Sequence, residues 1–515
     1  MRPRLRLLLA LALAAPVPAA AQGASYEQLQ TFSSLLNQIR LNYVDSVSYT
    51  VLVQAAIDGV LASLDPHSRF VRRDQAEREA AYEAGVLAGT GVILDEADGA
   101  LVVLSVLPKS PAARSGIAAG DRLLAINDTA SAGLTASDAM EKLIGEKGKR
   151  VRLLLARGSR LEPDTVKAGL KFDFIEPRSV SVVRMVDGTT GYIRLSGFHA
   201  KAGEEVERAL KDLRGKGMKR LLLDLRGNPG GVMVAPVEIA TNFFPKRTLV
   251  FRTSGRHRSA NGEFLTEKDG DFRDLPIILL QDGGSASASE ALAGTLQDHD
   301  RAVLLGRRSF GKALIQAGLP IPPQGDAVWL TIGRVVTPSG RIIQRAYRGL
   351  KYQQYRSFGG VSGAEQDTSQ VFLTDRRRHV RGGGGIVPDV EVPRSAELPA
   401  WWGTVADSGW IEAVADSVAA GLPRDQGQAA AWLVGGEPWR SGMVAPLLAR
   451  VHGRLQVAAE PDSAQAGRIG RIMAYRAAEV RWGPDAADAL LLRHDPDVRA
   501  AMATWDRLPA LLAGP

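Results

Sequence analysis

Apolar residues recur at helical spacing from Tyr26 to Leu64, in "LLNQIRLNYV" and "LVQAAIDGVLASL", which predicts helices there. "LDPHSRF" (Leu64–Phe70) then signals a turn. Between residues 85 and 160 the pattern changes to short β-branched runs broken by glycine: "GTGVIL", "ALVVLSVL", "SPAARSGIAAGDRLLAIND", "ASDAMEKLIGEKG" and "RVRLLLAR". Residues 161–393 alternate strand and helix. "TTGYIRLSGF" reads as a strand, and "AGEEVERALKDLRGKG" as a helix with Val206, Leu210 and Leu213 on one face. "KRLLLDLRGNPGG" and "LPIILLQDGGSASASEALAGTLQDHD" are buried strands running into glycine turns, and "RAVLLGRRSFGKALIQ" supplies another strand. Such alternation predicts a mostly parallel sheet with its ligand crevice at the carboxyl ends of the strands. From 394 to 515, helical stretches such as "AGRIGRIMAYRAAEV" alternate with Pro/Gly breaks. This tail holds seven of the eight tryptophans: Trp401, Trp402, Trp410, Trp432, Trp439, Trp482 and Trp505. Packing against the preceding unit accounts for them, and a partner interface is the second reading.

Composition narrows the class. A chain of 515 residues, 45% hydrophobic and 23% charged, is an ordinary folded protein of roughly three or four units. Residues 1–21 carry Arg2, Arg4 and Arg6, a short Leu/Ala run and a small-residue end at Ala19–Ala21, the pattern of a secretory signal peptide cleaved before Gln22. The apolar run Leu7–Ala15 is too short to span a bilayer. Loss of three arginines lowers the formal net charge from +8 to +5, too mild to argue for nucleic acid. The basic run "DRRRHVRGGGG" (Asp375–Gly385) lacks interleaved aromatics and reads as a solvated hairpin. The absence of cysteine excludes disulfides, thiolate zinc sites and a cysteine nucleophile. His67 has no partner at ligand spacing, so it reads as structural; no metal site and no cofactor are expected. The mature chain, with no membrane span, is expected in an exported compartment such as a bacterial periplasm.

"GRRSFGKA" (Gly306–Ala313) is the first candidate for chemistry. It reads G-x-x-x-x-G-K, but Ala313 stands where a phosphate-binding loop needs a hydroxyl for magnesium. "GGSASASE" is not a nucleophile elbow of the G-x-S-x-G type, because Ala288 follows Ser287 and no glycine closes the motif. Serine–histidine chemistry is poorly supported, since only His199 and His299 adjoin these strands and helices. A serine can instead be activated by lysine. An unperturbed lysine is only about 0.04% neutral at pH 7, so it must sit where charge is disfavoured. Lys312 has Phe310, Leu314 and Ile315 close by in sequence.

Two resemblances sharpen this. The order of motifs from 85 to 160, above all "SPAARSGIAAGDRLLAIND", resembles a PDZ domain. That resemblance implies that the loop Gly89, Thr90, Gly91 and Val92 offers backbone N–H groups to a peptide's terminal carboxylate. The strand from Val92 would then add the peptide to the sheet, and the helix Ser137–Ile144 would wall the groove. The links at 72–84 and 158–168 are charged, as mobile connections would be. Nearly the whole mature chain resembles the C-terminal processing peptidases, the tail-specific serine–lysine endopeptidases. The match includes "SLDPHSRF", "LDLRGNPGG", "GSASASE", "LQDHDRAVLLG", "SFGKALIQ", "TPSGRIIQ" and "GGGGIVPDVEV".

The family's pattern implies Ser287 as nucleophile, Lys312 as general base and Gln316 as the residue that orients the lysine. Backbone N–H groups of Ala288 and of Gly231, favoured over Gly230, would hold the oxyanion. The expected architecture is an α/β protease core of crotonase/ClpP-like type with a mostly parallel sheet (161–393). To it are added an inserted PDZ domain (85–160), an N-terminal helical region (22–84) and a helical Trp-rich C-terminal extension (394–515). Expected partners are protein or peptide substrates with accessible C-termini, with an adaptor protein left open and the chain a monomer or homodimer. The competing reading is a catalytically idle PDZ-type peptide-binding scaffold; intact Ser287, Lys312 and Gln316 argue against it.

Overall fold

The computed structural model describes residues 19–514 except 74, 77–87, 98–99, 108–109, 119–120, 135, 158–163, 176–177, 324, 349–354, 356–369, 395, 408–409, 424, 426–443 and 456–459. The signal peptide expected at 1–21 lies, up to residue 18, outside the described residues. So does most of the link 72–84, while the link 158–168 becomes strand from Asp164.

The chain divides into two compact units. The smaller contains the helices Ala19–Asn42 and Tyr49–Ala62, continues to Val71, and takes in Gly318–Leu330. Ser48 caps the second helix by accepting from Val51 N. The predicted turn is built by Asp65, whose carboxylate accepts from His67 N, Ser68 N and the Ser68 hydroxyl. Arg69–Val71 then pairs antiparallel with Ala327–Trp329. No helix among the described residues is long and apolar enough to cross a membrane.

The larger unit, Arg72–Ala317 with Thr331–Pro515, holds three hydrophobic assemblies. The first is a β sheet of order Val92–Ala97, Ala100–Val106, Arg122–Ile126, Arg150–Arg157 and Asp164–Lys171, every pairing antiparallel. Alternate residues Val151, Leu153 and Leu155 face a core shared with Val92, Leu94 and, from the helical segment, Ala139 and Leu143. Val92–Ala97 is one of the two edge strands in this order.

The second assembly is a six-stranded sheet of order Val180–Met185, Thr190–Leu195, Arg220–Asp224, Ile277–Gln281, Val303–Gly306 and Val390–Glu391. Its first pair is antiparallel and the other four are parallel. Both faces are covered, which is why "RLLLD", "IILLQ" and "VLLG" are continuous apolar runs and not alternating ones. Leu221, Leu223, Ile277, Leu279 and Leu304 face one core with the helices Ala202–Gly215, Ala235–Thr241 and Ala288–Asp298. Leu222, Ile278, Leu280, Val303 and Leu305 face the other, covered by Leu492, Val498, Ala501, Trp505, Leu508 and Leu512 of the tail.

The expectation of a mostly parallel protease core is corrected here. Leu249–Thr253 pairs antiparallel with Gly262–Leu265, and Arg252–Gly255 antiparallel with Gly333–Val336. Among the described residues parallel strand pairing is confined to the six-stranded sheet, with one isolated parallel bridge from Phe198 to Gly231, and the described sheets are mostly antiparallel. The hairpin between Leu249 and Leu265 has a connection too short for parallel pairing, which needs a long crossover.

The tail behaves as two pieces. Trp401, Val405, Val414, Leu447, Ile469, Met473 and Ala477 form a third, helical core of their own, against which Trp402, Trp410 and Trp482 pack. Among the described residues of the tail, only the last segment, with Trp505, lies on the sheet. Trp432 and Trp439 fall outside the described residues.

Candidate active site

Three loops leave adjacent parallel strands at the same end: Leu225–Gly231, Asp282–Ser287 and Arg307–Lys312. Hydrogen bonds lock the first two together. Ser285 donates its hydroxyl to Leu225 O at 2.8 Å, Gly227 N to Asp282 Oδ1 at 2.9 Å, Ala286 N to Asn228 O at 3.0 Å, and Ser289 its hydroxyl to Asn228 O at 2.9 Å. Ser287 ends its loop with φ 57 and ψ −113 as the residue before the helix Ala288–Asp298. A non-glycine residue there costs about 1–3 kcal/mol and persists only where its surroundings hold it.

Glu290 does the holding. It lies in the first turn of that helix and is fully buried. Its Oε2 accepts Ser287 N and Lys312 N, both at 2.8 Å. Its Oε1 accepts the Ser309 hydroxyl at 2.5 Å and Gly311 N at 2.6 Å. One carboxylate oxygen thus joins the backbones of Ser287 and Lys312, 25 positions apart in the chain. Burial is the largest influence on this carboxyl and pushes it up from 4.5 to about 7, against the lowering pull of the four hydrogen bonds.

The same bonds dispose of the phosphate-loop likeness. The N–H groups of Gly311 and Lys312 already hold the chain's own Glu290 carboxyl, and the segment leads into a strand at Leu314 rather than a helix. Gly311 is required: its φ is +91, and a Cβ would sit 2.9 Å from Gly385 N. Phe310 N donates to Ser285 O at 2.9 Å, and Ala313 N to Gln344 Oε1 at 2.8 Å. Lys312 and Ser287 are half-buried.

Of the two glycines, Gly230 donates its N–H to Asn228 Oδ1 at 2.9 Å. Gly231 N–H has no acceptor among the described residues. Gly230 packs so closely on the serine loop that a Cβ would lie 2.9 Å from both Ala288 N and Ser287 Cβ. Ala288, first in its helix, has no intrahelical acceptor for its N–H. Two unengaged donors, from Ala288 and Gly231, therefore flank this turn. His299 is not among these groups. It ends the same helix, roughly 16 Å along the axis, bonded to Asp375 Oδ2 and Leu249 O.

With that geometry in place, similarity to known proteins is decisive. The profile of Peptidase family S41 matches residues 189–352, and that of the PDZ domain matches residues 102–157. A carboxy-terminal-processing protease of Bartonella bacilliformis is 35% identical over 325 residues, 62% of this chain and 73% of its own. The chain belongs to the carboxy-terminal processing proteases. A member from Bacillus subtilis is 30% identical over 333 residues, 64% of this chain and 68% of its own. The solved photosystem II D1 C-terminal processing protease is 22% identical with a TM-score of 0.41, over 72% of this chain and 87% of that one.

In this protease Gln316 donates Nε2 to Thr331 Oγ1 at 3.3 Å, and no hydrogen bond joins it to Lys312. In the PDZ domain, Thr90 N donates to Leu143 O at 2.9 Å and Thr90 O accepts Ala112 N. Gly89 bridges to Ile144, and Val92 N lies 3.4 Å from the Thr90 hydroxyl. Gly91 N–H is without an acceptor among the described residues. The residues that sequence reasoning overlooked are Glu290, Asn228 and Gln344. Glu290 stands inside the quoted "SASASE", three positions after Ser287. That is capping-box spacing, and it could have been used. Asn228 and Gln344 carry no such local signal.

Proposed function

We propose that this chain is an exported serine endopeptidase that captures carboxyl-terminal segments of substrates through its PDZ domain and cuts them with Ser287 and Lys312. The observation that carries the reading is the shared Glu290 oxygen, which holds the Ser287 and Lys312 backbones together at 2.8 Å each. Neutral Lys312 takes the proton from the Ser287 hydroxyl as its oxygen attacks the substrate carbonyl carbon. The oxyanion is held by Ala288 N–H and Gly231 N–H, the first aided by the positive helix end. The lysine ammonium then protonates the leaving amine, and an ester on Ser287 remains. Water, deprotonated by the same lysine, hydrolyses that ester. Gln316 orients Lys312 once its amide leaves Thr331, a change that peptide capture would favour only if the peptide binds the aligned state better. Gly89, Thr90, Gly91 and Val92 receive the substrate terminus, with Gly91 N–H the unengaged donor. Export follows from the leader read at 1–21.

Ser287→Ala and Lys312→Ala should each abolish proteolysis of an unfolded protein substrate with the fold intact by circular dichroism. The double variant should be little worse than either. Near-normal turnover by Lys312→Ala would overturn the assignment. His299→Gln should leave the pH–rate profile unchanged, because that ring is engaged at the far end of the helix.

A further inference from the structure

The residues that hold the catalytic loops do not all come from the catalytic region. Arg226 follows the Arg220–Asp224 strand, inside the turn that grips the Ser287 loop through Leu225, Gly227 and Asn228. Its guanidinium is bound by Asp224, at 2.6 Å from Nη2, and by two carboxylates from the tail. Nη1 lies 2.8 Å from Asp495 Oδ2 and 2.9 Å from Asp497 Oδ2. Arg307 opens the segment that leads to Lys312, and its backbone is tied to the sheet through Gln281. Its two terminal nitrogens reach the same Asp497, at 2.9 Å to Oδ1 and 2.5 Å to Oδ2. Asp497 is 3% exposed. Among the described residues it is the only carboxylate ion-paired with Arg307.

We propose that Asp497 is a positioning residue of the peptidase: its one carboxylate ties the arginine of the serine-gripping turn to the arginine of the lysine-bearing segment, so the C-terminal extension holds nucleophile and base in register. Asp495 and Pro496 make this geometry reproducible. Asp495 caps the helix Pro496–Thr504 by accepting from Asp497 N and Val498 N, which fixes where Asp497 starts its turn. The helix is anchored to the sheet by Val498 and Ala501. Without the Asp497 charge, two poorly solvated guanidiniums face each other, and Arg307 is left with no ion pair. The loops they head would separate before the sheet itself unfolds.

This inference rests on the Ser287–Lys312 reading. Its test uses the full chain with a short, internally quenched peptide, and the rate at which a fluorophosphonate labels Ser287. Asp497→Asn is expected to lower kcat at least tenfold with KM within twofold, and to slow labelling in parallel. Asp497→Glu should recover part of both. Arg307→Gln, which leaves Asp497 paired with Arg226, should lower kcat in the same direction and decides the matter should Asp497→Asn not fold. Variants with kcat within twofold of native and only a lower unfolding midpoint would overturn the proposal, leaving Asp497 a clasp for the tail. A rise in KM alone would overturn it too. Failure of the underlying reading is separately visible, as Lys312→Ala retaining turnover.

Discussion

Glu290 shows how one side chain can set both the stability and the chemistry of a site. Each of its oxygens accepts two donors, so an amide nitrogen in place of either oxygen would face two N–H or O–H groups. Buried donors left unmet cost about 1–3 kcal/mol each. Glu290→Gln should therefore lower kcat by about tenfold or more, by the conversion of about 1.4 kcal/mol per decade, measured on a short peptide. The pH dependence has a definite sign. Burial raises this carboxyl from 4.5 to about 7, so between those values the folded chain binds a proton that the unfolded chain has released. Stability from this group is complete below pH 4.5 and is lost as pH rises through about 7. Denaturant titrations from pH 5 to 8 should show the native chain losing stability relative to Glu290→Gln. Parallel curves for the two would refute the assignment.

At the scale of elements, the PDZ sheet offers Val92–Ala97 as an edge strand beside the loop that begins at Gly89. An edge with unpaired backbone groups can take a peptide as an added strand. Gly91 governs the loop's shape: its φ is +81, and a Cβ would fall 2.1 Å from Ser110 Cβ. Even Gly91→Ala should therefore displace the loop from the Pro111–Arg114 turn that Ser110 caps. The prediction concerns preference. Peptides ending in a free carboxylate should be cut with higher kcat/KM than the same peptides ending in an amide, and Gly91→Ala should remove the difference. It should leave cleavage of a short peptide that lacks the terminal signal largely unchanged. Equal values for both endings on the native enzyme would show that the loop does not read carboxylates.

At the scale of the whole molecule, the last segment of the tail packs on the sheet, the reading its tryptophans first suggested. One face of the six-stranded sheet is closed by Leu492, Val498, Ala501, Trp505, Leu508 and Leu512. Trp505 is 7% exposed, with Arg220 over its ring at 5.1 Å. Trp505→Ala should cost about 3–5 kcal/mol, the usual range for removing a buried aromatic, read from the shift in denaturation midpoint. Ending the chain at residue 393 should be worse, because it bares Leu280, Val303 and Leu305 to water. The expected product is aggregated on size exclusion and binds a hydrophobic dye. A soluble, active truncation would show that the tail is dispensable to the core.

What the sequence determined by itself was everything carried by short-range pattern. The apolar runs in "RLLLD" and "IILLQ" specify strands buried on both faces, and "SASASE" and "SFGK" mark strand ends that the structure brings side by side. The glycines at 91 and 311 stand in quoted motifs, but their positive φ, which no other residue adopts cheaply, came from the structure. Strand direction was legible only in part, since the crossovers announce parallel pairs while hairpin partners such as Leu249–Thr253 and Gly262–Leu265 depend on how the chain returns. Tertiary structure alone decided which glycine N–H stays unengaged, since Asn228 claims Gly230 through a side chain. It alone put Gln316 on Thr331 and brought Asp497 to Arg226, 271 positions away. Local propensity acts over a few residues. A buried charge, in contrast, must find its partner wherever the fold brings one, because leaving it alone in a low-dielectric interior costs more than any local preference can repay.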